Sequence, residues 1–331
     1  MFLALVECMV WEPKGISMNR PCTRPNVLMV AVSLFVCLIL YAAVAQAVLP
    51  QVAVGDSHTV VLMADGTVKA WGIDILGWSN SFSPPMKVSG VGGPVSAIAA
   101  GPTAGFAIMA DGTVVAWGDH RLWPPNDDGS TPPMKVSGLG GPVTALDSKV
   151  HNTVALLADG TVKTWGENDV GQLGDGTTNY GHTPVTVVGL GGPAVGIAQG
   201  STHTVALMAD GTVKAWGNNE YGQLGDGTTG TTNRSFTPVT VSGLSGVTAI
   251  GAGFDFTVAL LSDGTVKAWG NNAVGQLGDG TTTDRPTPVT VVGLDGPVMA
   301  ISVGNWHTVA LMADGTVKTW GLILPTKSGH G

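Results

Sequence analysis

The stretch Leu62–Gly72, LMADGTVKAWG, recurs letter for letter at Leu207–Gly217, and near-copies end at Trp117, Trp165, Trp269 and Trp320. Aligned on Asp-Gly, at Asp65, Asp111, Asp159, Asp210, Asp263 and Asp314, the copies lie 46 to 53 residues apart. No other feature limits the fold so sharply. A period near fifty is too long for a single hairpin. It matches one supersecondary unit of a repeating array, in which each copy buries its apolar face against the next.

Within a unit the pattern is β. HTVALMADGTVKAWG alternates apolar and polar positions on both sides of Asp-Gly, a dipeptide that tolerates the positive φ of a tight type I′ hairpin. Its Val and Thr residues suit strands better than helices. A second pair of short β runs, PVTVVGL and AVGIAQG within Pro184–Gly200, is punctuated by Gly-Gly-Pro. Four strands per unit, with no sustained helical period after residue 47, predict an all-β propeller of about six four-stranded blades. The 49 glycines, about twice the usual share, read as turns because no Gly-X-Y period accompanies them. At the ends, the first unit begins at QVAVG with no upstream Pro-x-x-Val run, and Leu324–Gly329, LPTKSG, echoes PPMKVSG at Pro84–Gly90. Residues 322–331 are then a tail or a closing strand that completes the first blade; an open array is the alternative.

Residues 1–47 read as a leader. Val27–Val44, VLMVAVSLFVCLILYAAV, carries no charge, follows Arg20 and Arg24, and precedes Ala45-Gln46-Ala47. A positive segment, an apolar segment and an Ala-x-Ala site make a secretory signal peptide, with Met18 as start and cleavage after Ala47. Left uncut, the same eighteen apolar residues have the length of a membrane anchor. Cys8, Cys22 and Cys37 all precede the site, so residues 48–331 hold no disulfide, thiolate metal ligand or cysteine nucleophile. The expected location is extracytoplasmic: secreted, periplasmic or cell-surface, with a membrane link only through an uncleaved leader. A net charge of −8 with scattered Lys and Arg excludes a phosphate-binding surface, and with it nucleic acid as a partner.

HTVALMADGTVKAWGNNEYGQLGDGTT followed by TPVTVSGL resembles the repeat of the regulator of chromosome condensation (RCC1) family. His-Thr-x-Ala-Leu, Asp-Gly, Trp-Gly-x-Asn, Gly-Gln-Leu-Gly and Pro-x-x-Val recur in that order between Val52 and Gly321. The resemblance implies a β-propeller with blades of this length. The best-known members have seven blades, whereas this chain has six Trp-Gly units. It extends to secreted bacterial propellers, some of which cap the active-site clefts of enzymes such as β-lactamases, and to nuclear exchange factors for small GTPases. The leader and the acidic balance favour the secreted type.

Most repeated residues read as structure. The six aspartates sit at turns, and the tryptophans recur where a blade-to-blade packing aromatic belongs. The GQLGDGTT loops at Gly171, Gly222 and Gly275 lack the closing Glu of a calcium loop and the Gly-Lys of a phosphate loop. Seven residues before each Asp stand His58, Ala104, Asn152, His203, Phe256 and His307. Histidines one or more blades apart do not make a metal site, and bonding to a neighbouring backbone group accounts for them. Catalytic residues, metals and cofactors are not expected. Function is sought where the pattern breaks, in GIDILGWSNSFSPP and GDHRLWPPNDDGSTPP of the first two units. These supply Trp78, Phe82, His120, Arg121 and Trp123; Tyr180, Tyr221, Arg234 and Phe236 extend the surface on later loops. Aromatic residues and Arg dominate the energetic centres of interfaces. The expectation is a monomeric module that binds an unidentified protein. Drift of terminal repeats is the competing account of those loops. An inhibitor of a secreted enzyme, a cell-envelope hydrolase and a purely structural surface protein are the functional rivals.

Overall fold

The computed structural model describes residues 49–72, 83–118 and 132–322. The chain divides into two units, Met1–Ala47 and Val48–Gly331, and every described residue belongs to the second. The leader, the loops carrying Trp78, Phe82, His120, Arg121 and Trp123, and the tail beyond Leu322 lie outside the described residues.

Six antiparallel sheets follow one another along the chain. Blade 1 holds β1 (Gln51–Val54), β2 (His58–Leu62), β3 (Val68–Gly72) and β4 (Ser83–Lys87). Blade 2 holds β5 (Val95–Ala100), β6 (Ala104–Met109), β7 (Val114–Gly118) and β8 (Met134–Lys135). Blade 3 holds β9 (Val143–Lys149), β10 (Asn152–Leu157), β11 (Val162–Gly166) and β12 (Gly181–Thr186). Blade 4 holds β13 (Ala194–Gln199), β14 (His203–Met208), β15 (Val213–Gly217) and β16 (Ser235–Thr240). Blade 5 holds β17 (Val247–Ala252), β18 (Phe256–Leu261), β19 (Val266–Gly270) and β20 (Arg285–Thr290). Blade 6 shows β21 (Val298–Val303), β22 (His307–Met312) and β23 (Val317–Gly321). The first strands of successive blades adjoin one another, so the chain runs from axis to rim within each sheet. This is the expected six-bladed propeller, and the described residues contain no helix.

Two local expectations are corrected. The Asp-Gly turn is not a two-residue type I′ turn. Met63 N donates to Thr67 O at 2.8 Å and Gly66 N to Met63 O at 2.9 Å, leaving a three-residue loop in which only Gly66 has positive φ, +79°. That is a type I turn followed by a left-handed Gly. Asp65 is the reason: its carboxylate accepts Thr67 N at 2.8 Å, which holds Asp itself at negative φ. The same Asp-to-Thr bond recurs at Asp111, Asp159, Asp210, Asp263 and Asp314, so turn chemistry does account for all six. The second correction concerns phase. The Pro-Val-Thr strand pairs with the hairpin before it, as β12 pairs with β11, and not with the strand after it. Blade 1 therefore shows four strands and blade 6 three among the described residues, and the expected tail or closing strand beyond Leu322 lies outside them.

The joint between blades is built from the repeat itself. Trp216 is fully buried, and its indole Nε1 donates to Gln172 O in the Gly-Gln-Leu-Gly loop of the preceding blade at 3.0 Å. Thr204 Oγ1 donates to the same carbonyl at 2.8 Å. One blade further on, Trp269 Nε1 and Thr257 Oγ1 converge on Gln223 O at 3.0 and 3.1 Å. Burying an indole with its N–H satisfied contributes a few kcal/mol, on the order of that for a large apolar side chain. Each joint from blade 1–2 through blade 5–6 encloses its own apolar cluster. Between blades 6 and 1 the described residues form no such cluster: Val52 and Val54 are 68% and 69% exposed, Leu311 and Val317 42% and 60%. There Asn305 Nδ2 donates to Asp56 Oδ1 at 3.5 Å.

The joint yields a paired prediction. At Gly225, with φ +69°, a Cβ would meet Trp269 Nε1 at 2.6 Å; at Gly275, with φ +76°, it would meet nothing within 4 Å. Gly225→Ala should cost about 3 kcal/mol, from strain plus overpacking, and Gly275→Ala about 1 kcal/mol from backbone strain alone. Urea denaturation of the two variants checks the difference.

Candidate functional site

Antiparallel order sends the tips joining first and second strands, and the long loops joining third and fourth, to one face. The Asp-Gly turns occupy the other. On the loop face, blades 3, 4 and 5 carry loops tied from within. Asn168 Oδ1 accepts Leu173 N at 3.0 Å and Asn168 Nδ2 donates to Thr177 O at 3.1 Å. Asn219 and Asn272 repeat this with Leu224 and Leu277, and all three Leu side chains are fully buried. In blade 5 an ion pair, Arg285 Nε to Asp279 Oδ2 at 2.8 Å, adds a further tie. These Gly-rich loops spend their polar groups on themselves, and among the described residues no group of three or more His, Cys, Asp or Glu is placed to hold a metal.

Of the residues expected to bind, four are described. Phe236, 39% exposed, opens the outer strand of blade 4 and lies against Gly171 of the blade 3 loop, while its carbonyl accepts Gly176 N at 3.0 Å. Arg234 reaches the same loop through Nη1, which donates to Asp169 O at 3.3 Å. Arg234 and Phe236 thus come together on blade 3's loop. Tyr180, 39% exposed, stacks obliquely on His182 with ring centroids 4.5 Å apart. Tyr221 stands on the blade 4 loop beside Glu220, whose charge, with burial, raises its phenol above the ordinary value.

The tips between first and second strands were passed over in the sequence, yet they carry aromatic residues too. Phe254 and Trp306 meet edge to face, with centroids 5.0 Å apart and planes at 81°. Their backbones are laced: Ser201 N donates to Phe254 O at 3.1 Å and Phe254 N to Asn305 O at 3.0 Å. Trp306 and Asn305 border a cavity of about 620 Å³ at the axis, whose wall also includes Val54, Asp56, Pro102 and Lys149. Lys149 breaks the repeat. It stands where the other units have Gly55, Gly101, Gly200, Gly253 and Gly304. Its Nζ crosses from blade 3 to blade 5 and donates to Ala252 O at 2.6 Å. Burial lowers its pKa, opposed by the charges of Asp147 and Asp56. Asp147 is anchored by Gln199 N at 2.8 Å and Ser148 N at 2.9 Å. The following residue, Val150, is held at φ 51°, a strained conformation for a β-branched side chain. The signal was legible as DSKVHN in place of AQGSTH.

His58 and His203 are buried, and His203 meets a threonine hydroxyl rather than the backbone group expected of it. Thr257 Oγ1 gives its one proton to Gln223 O, so at His203 Nε2, 2.9 Å away, the proton belongs to the imidazole. His58 faces the backbone of Pro102 and Ala104 in blade 2. Burial, assisted by the Lys149 charge, pushes His203 down to about 3. An imidazole that folds neutral but titrates near 6.5 when unfolded contributes stability that is complete above pH 6.5 and is lost progressively as pH falls toward 3. The unfolding free energy from urea denaturation should therefore drop between pH 7 and pH 4.5, by roughly 1 kcal/mol per pH unit below 6.5. In His203→Gln that part of the drop should vanish.

Comparison with known proteins places these features. The family described as "Regulator of chromosome condensation (RCC1) repeat" matches residues 159–207, 210–260 and 263–311, and a second description of that repeat matches 51–80, 143–172, 194–223 and 247–276. The human E3 ubiquitin-protein ligase HERC2 is 34% identical over 173 residues, 49% of this chain but 4% of HERC2. The chain spans less than a third of human HERC5, of the Arabidopsis thaliana ultraviolet-B receptor UVR8 and of human HERC6, which it also matches. Among solved structures, human WBSCR16 shares the fold with a TM-score of 0.73 and 23% identity, over 83% of this chain and 76% of that one. Yeast RCC1 (Prp20), crystallised with Kap60, gives 0.69 and 22%, over 82% and 69%.

Proposed function

Because this chain belongs to the regulator of chromosome condensation (RCC1) repeat family, we propose that it is an exported binding module, holding a protein partner on its loop face. One observation carries the reading. The loops of blades 3 to 5 are knotted through buried Asn and Leu and the tips of Phe254 and Trp306 are joined by backbone bonds, so Tyr180, Phe236, Phe254 and Trp306 are offered from backbone that is already ordered. Binding then costs little conformational entropy. Tyr221 and Arg234 extend the same surface in blade 4, and the reading includes Trp78, Phe82, His120, Arg121 and Trp123, which lie outside the described residues. Among the described residues the face is acidic: Asp56, Glu167, Asp169, Glu220, Asp226, Asp279 and Asp284 outnumber Arg234, Arg285 and Lys149. A partner with basic groups fits it, and complementary charge sets orientation and association rate. Recognition of protein partners accords with yeast RCC1 (Prp20) having been crystallised on Kap60, a likeness of fold alone.

Export rests on the leader. N-terminal sequencing of the chain recovered outside the cytoplasm should begin at Val48; a chain that keeps residues 1–47 in a membrane fraction would make it anchored instead. For binding, residues 48–331 serve as bait for exported and envelope proteins, and the captured protein is then titrated directly. Phe254→Ala/Trp306→Ala and Trp78→Ala/Trp123→Ala, each with an unchanged melting temperature, should weaken that titration at least about tenfold. Affinity should fall as salt rises from about 0.05 to 0.5 M. Equal affinity for the native bait and both variants would remove the loop face from the reading.

A further inference from the structure

Lys149 stands apart from the lysines of the rim. Lys163, Lys214 and Lys267 lie on third strands and donate to Thr186, Thr240 and Thr290 of the outer strands. Lys149 ends β9, the innermost strand of blade 3, where the other units have Gly55, Gly101, Gly200, Gly253 and Gly304. It is half-buried and borders the axial cavity of about 620 Å³ together with Ser148, Asp56, Asn305 and Trp306. An ammonium has three protons to place. Among the described residues Nζ places one, on Ala252 O at 2.6 Å. No carboxylate there is in ion-pair contact with it, and both oxygens of Asp147 are engaged by Gln199 N and Ser148 N.

Such a site favours the neutral amine over the ion. Burial is the largest influence on Lys149 and lowers its pKa. Asp147, Asp56 and His203 are the titratable groups whose charges couple to it, and the two carboxylates oppose the shift. A neutral amine carries a lone pair, and a desolvated lysine beside a cavity is a nucleophile toward carbonyl carbon. We propose that Lys149 is a covalent attachment site for a small aldehyde or ketone that enters the axial cavity. The lone pair of Nζ forms the C–N bond as the carbonyl π pair moves to oxygen. That oxygen takes both amine protons and departs as water, leaving C=N. Nothing is oxidised or reduced, and water reverses the step. Protonated from solvent, the imine is a cation in the field of Asp147 and Asp56, with Trp306 as an aromatic wall of the cavity. The site is independent of any protein held on the loop face.

The probe is propanal with sodium cyanoborohydride, which reduces imines, applied to the native full chain at pH 7. Peptide mapping by mass spectrometry reads propylation at each lysine. An unperturbed lysine, with a pKa of about 10.4, is neutral in roughly one molecule in a few thousand at that pH. Lys149 should therefore react at least about tenfold faster than Lys163, Lys214 and Lys267 in the same sample, and the preference should vanish in urea. Lys149→Arg should lose the fast site and no other; should that variant not fold, the rates in the native chain still decide. Lys149 reacting no faster than the three rim lysines, or not at all because the cavity is closed to the aldehyde, overturns the proposal. So does a preference that persists in the unfolded chain.

Discussion

At the joints between blades 3 and 4 and between blades 4 and 5, an indole that reaches into the loop of the blade before it sets the geometry. Trp216 on Gln172 O and Trp269 on Gln223 O are the same joint made twice. Were that N–H left unbonded, burial of the ring would carry a penalty of about 1–3 kcal/mol. With the bond made, the loop is drawn over the neighbouring blade and the angle between blades is determined. The Gly that ends Gly-Gln-Leu-Gly follows from this, because a Cβ there would occupy the indole's place. So does the inward Leu, which fills the space under the loop. The repeat length, the Trp position and the loop motif are three expressions of one contact.

The loop face is a consequence of the same contact. A loop clamped under the next blade's Trp cannot also rearrange around a ligand, so recognition there depends on what the loops already display. Lys149 is the clearest departure from repetition. A cation in place of Gly, with Val150 in the left-handed region and Asp147 tied to blade 4, turns one inner strand into a strut across the axis. Strain of this kind persists only where surrounding structure holds it.

Blade number, hairpin position, the structural duty of the aspartates and the separation of the histidines were all legible, because each rests on spacing or on local turn chemistry. The turn type was not: Asp-Gly suits both a two-residue and a three-residue loop, and the choice falls to the Asp65–Thr67 bond. Nor was the phase of the blades, since Pro-Val-Thr lies nearer in sequence to the strand after it than to the hairpin before it. Only hydrogen bonding between β11 and β12 distinguishes them. Phe254 and Trp306 were missed because they lie inside the Gly-x-x-Phe and Gly-x-x-His tips, of which the last residue alone was compared between repeats. The contact of Arg234 with Asp169, 65 residues away, needs the fold before it can be seen.

Among the described residues five apolar joints link the blades in a row, and a hydrogen bond between Asn305 and Asp56 ties blade 6 to blade 1. In a hoop a blade leaves only by breaking two joints; in a row the first and last leave by breaking one. Stability in such arrays is a sum of units and nearest-neighbour terms, so opening begins at the ends and protection from hydrogen exchange climbs toward the middle. The knotted loops belong to blades 3, 4 and 5. The part of the surface best suited to hold a partner is therefore carried mainly by the blades that fray least.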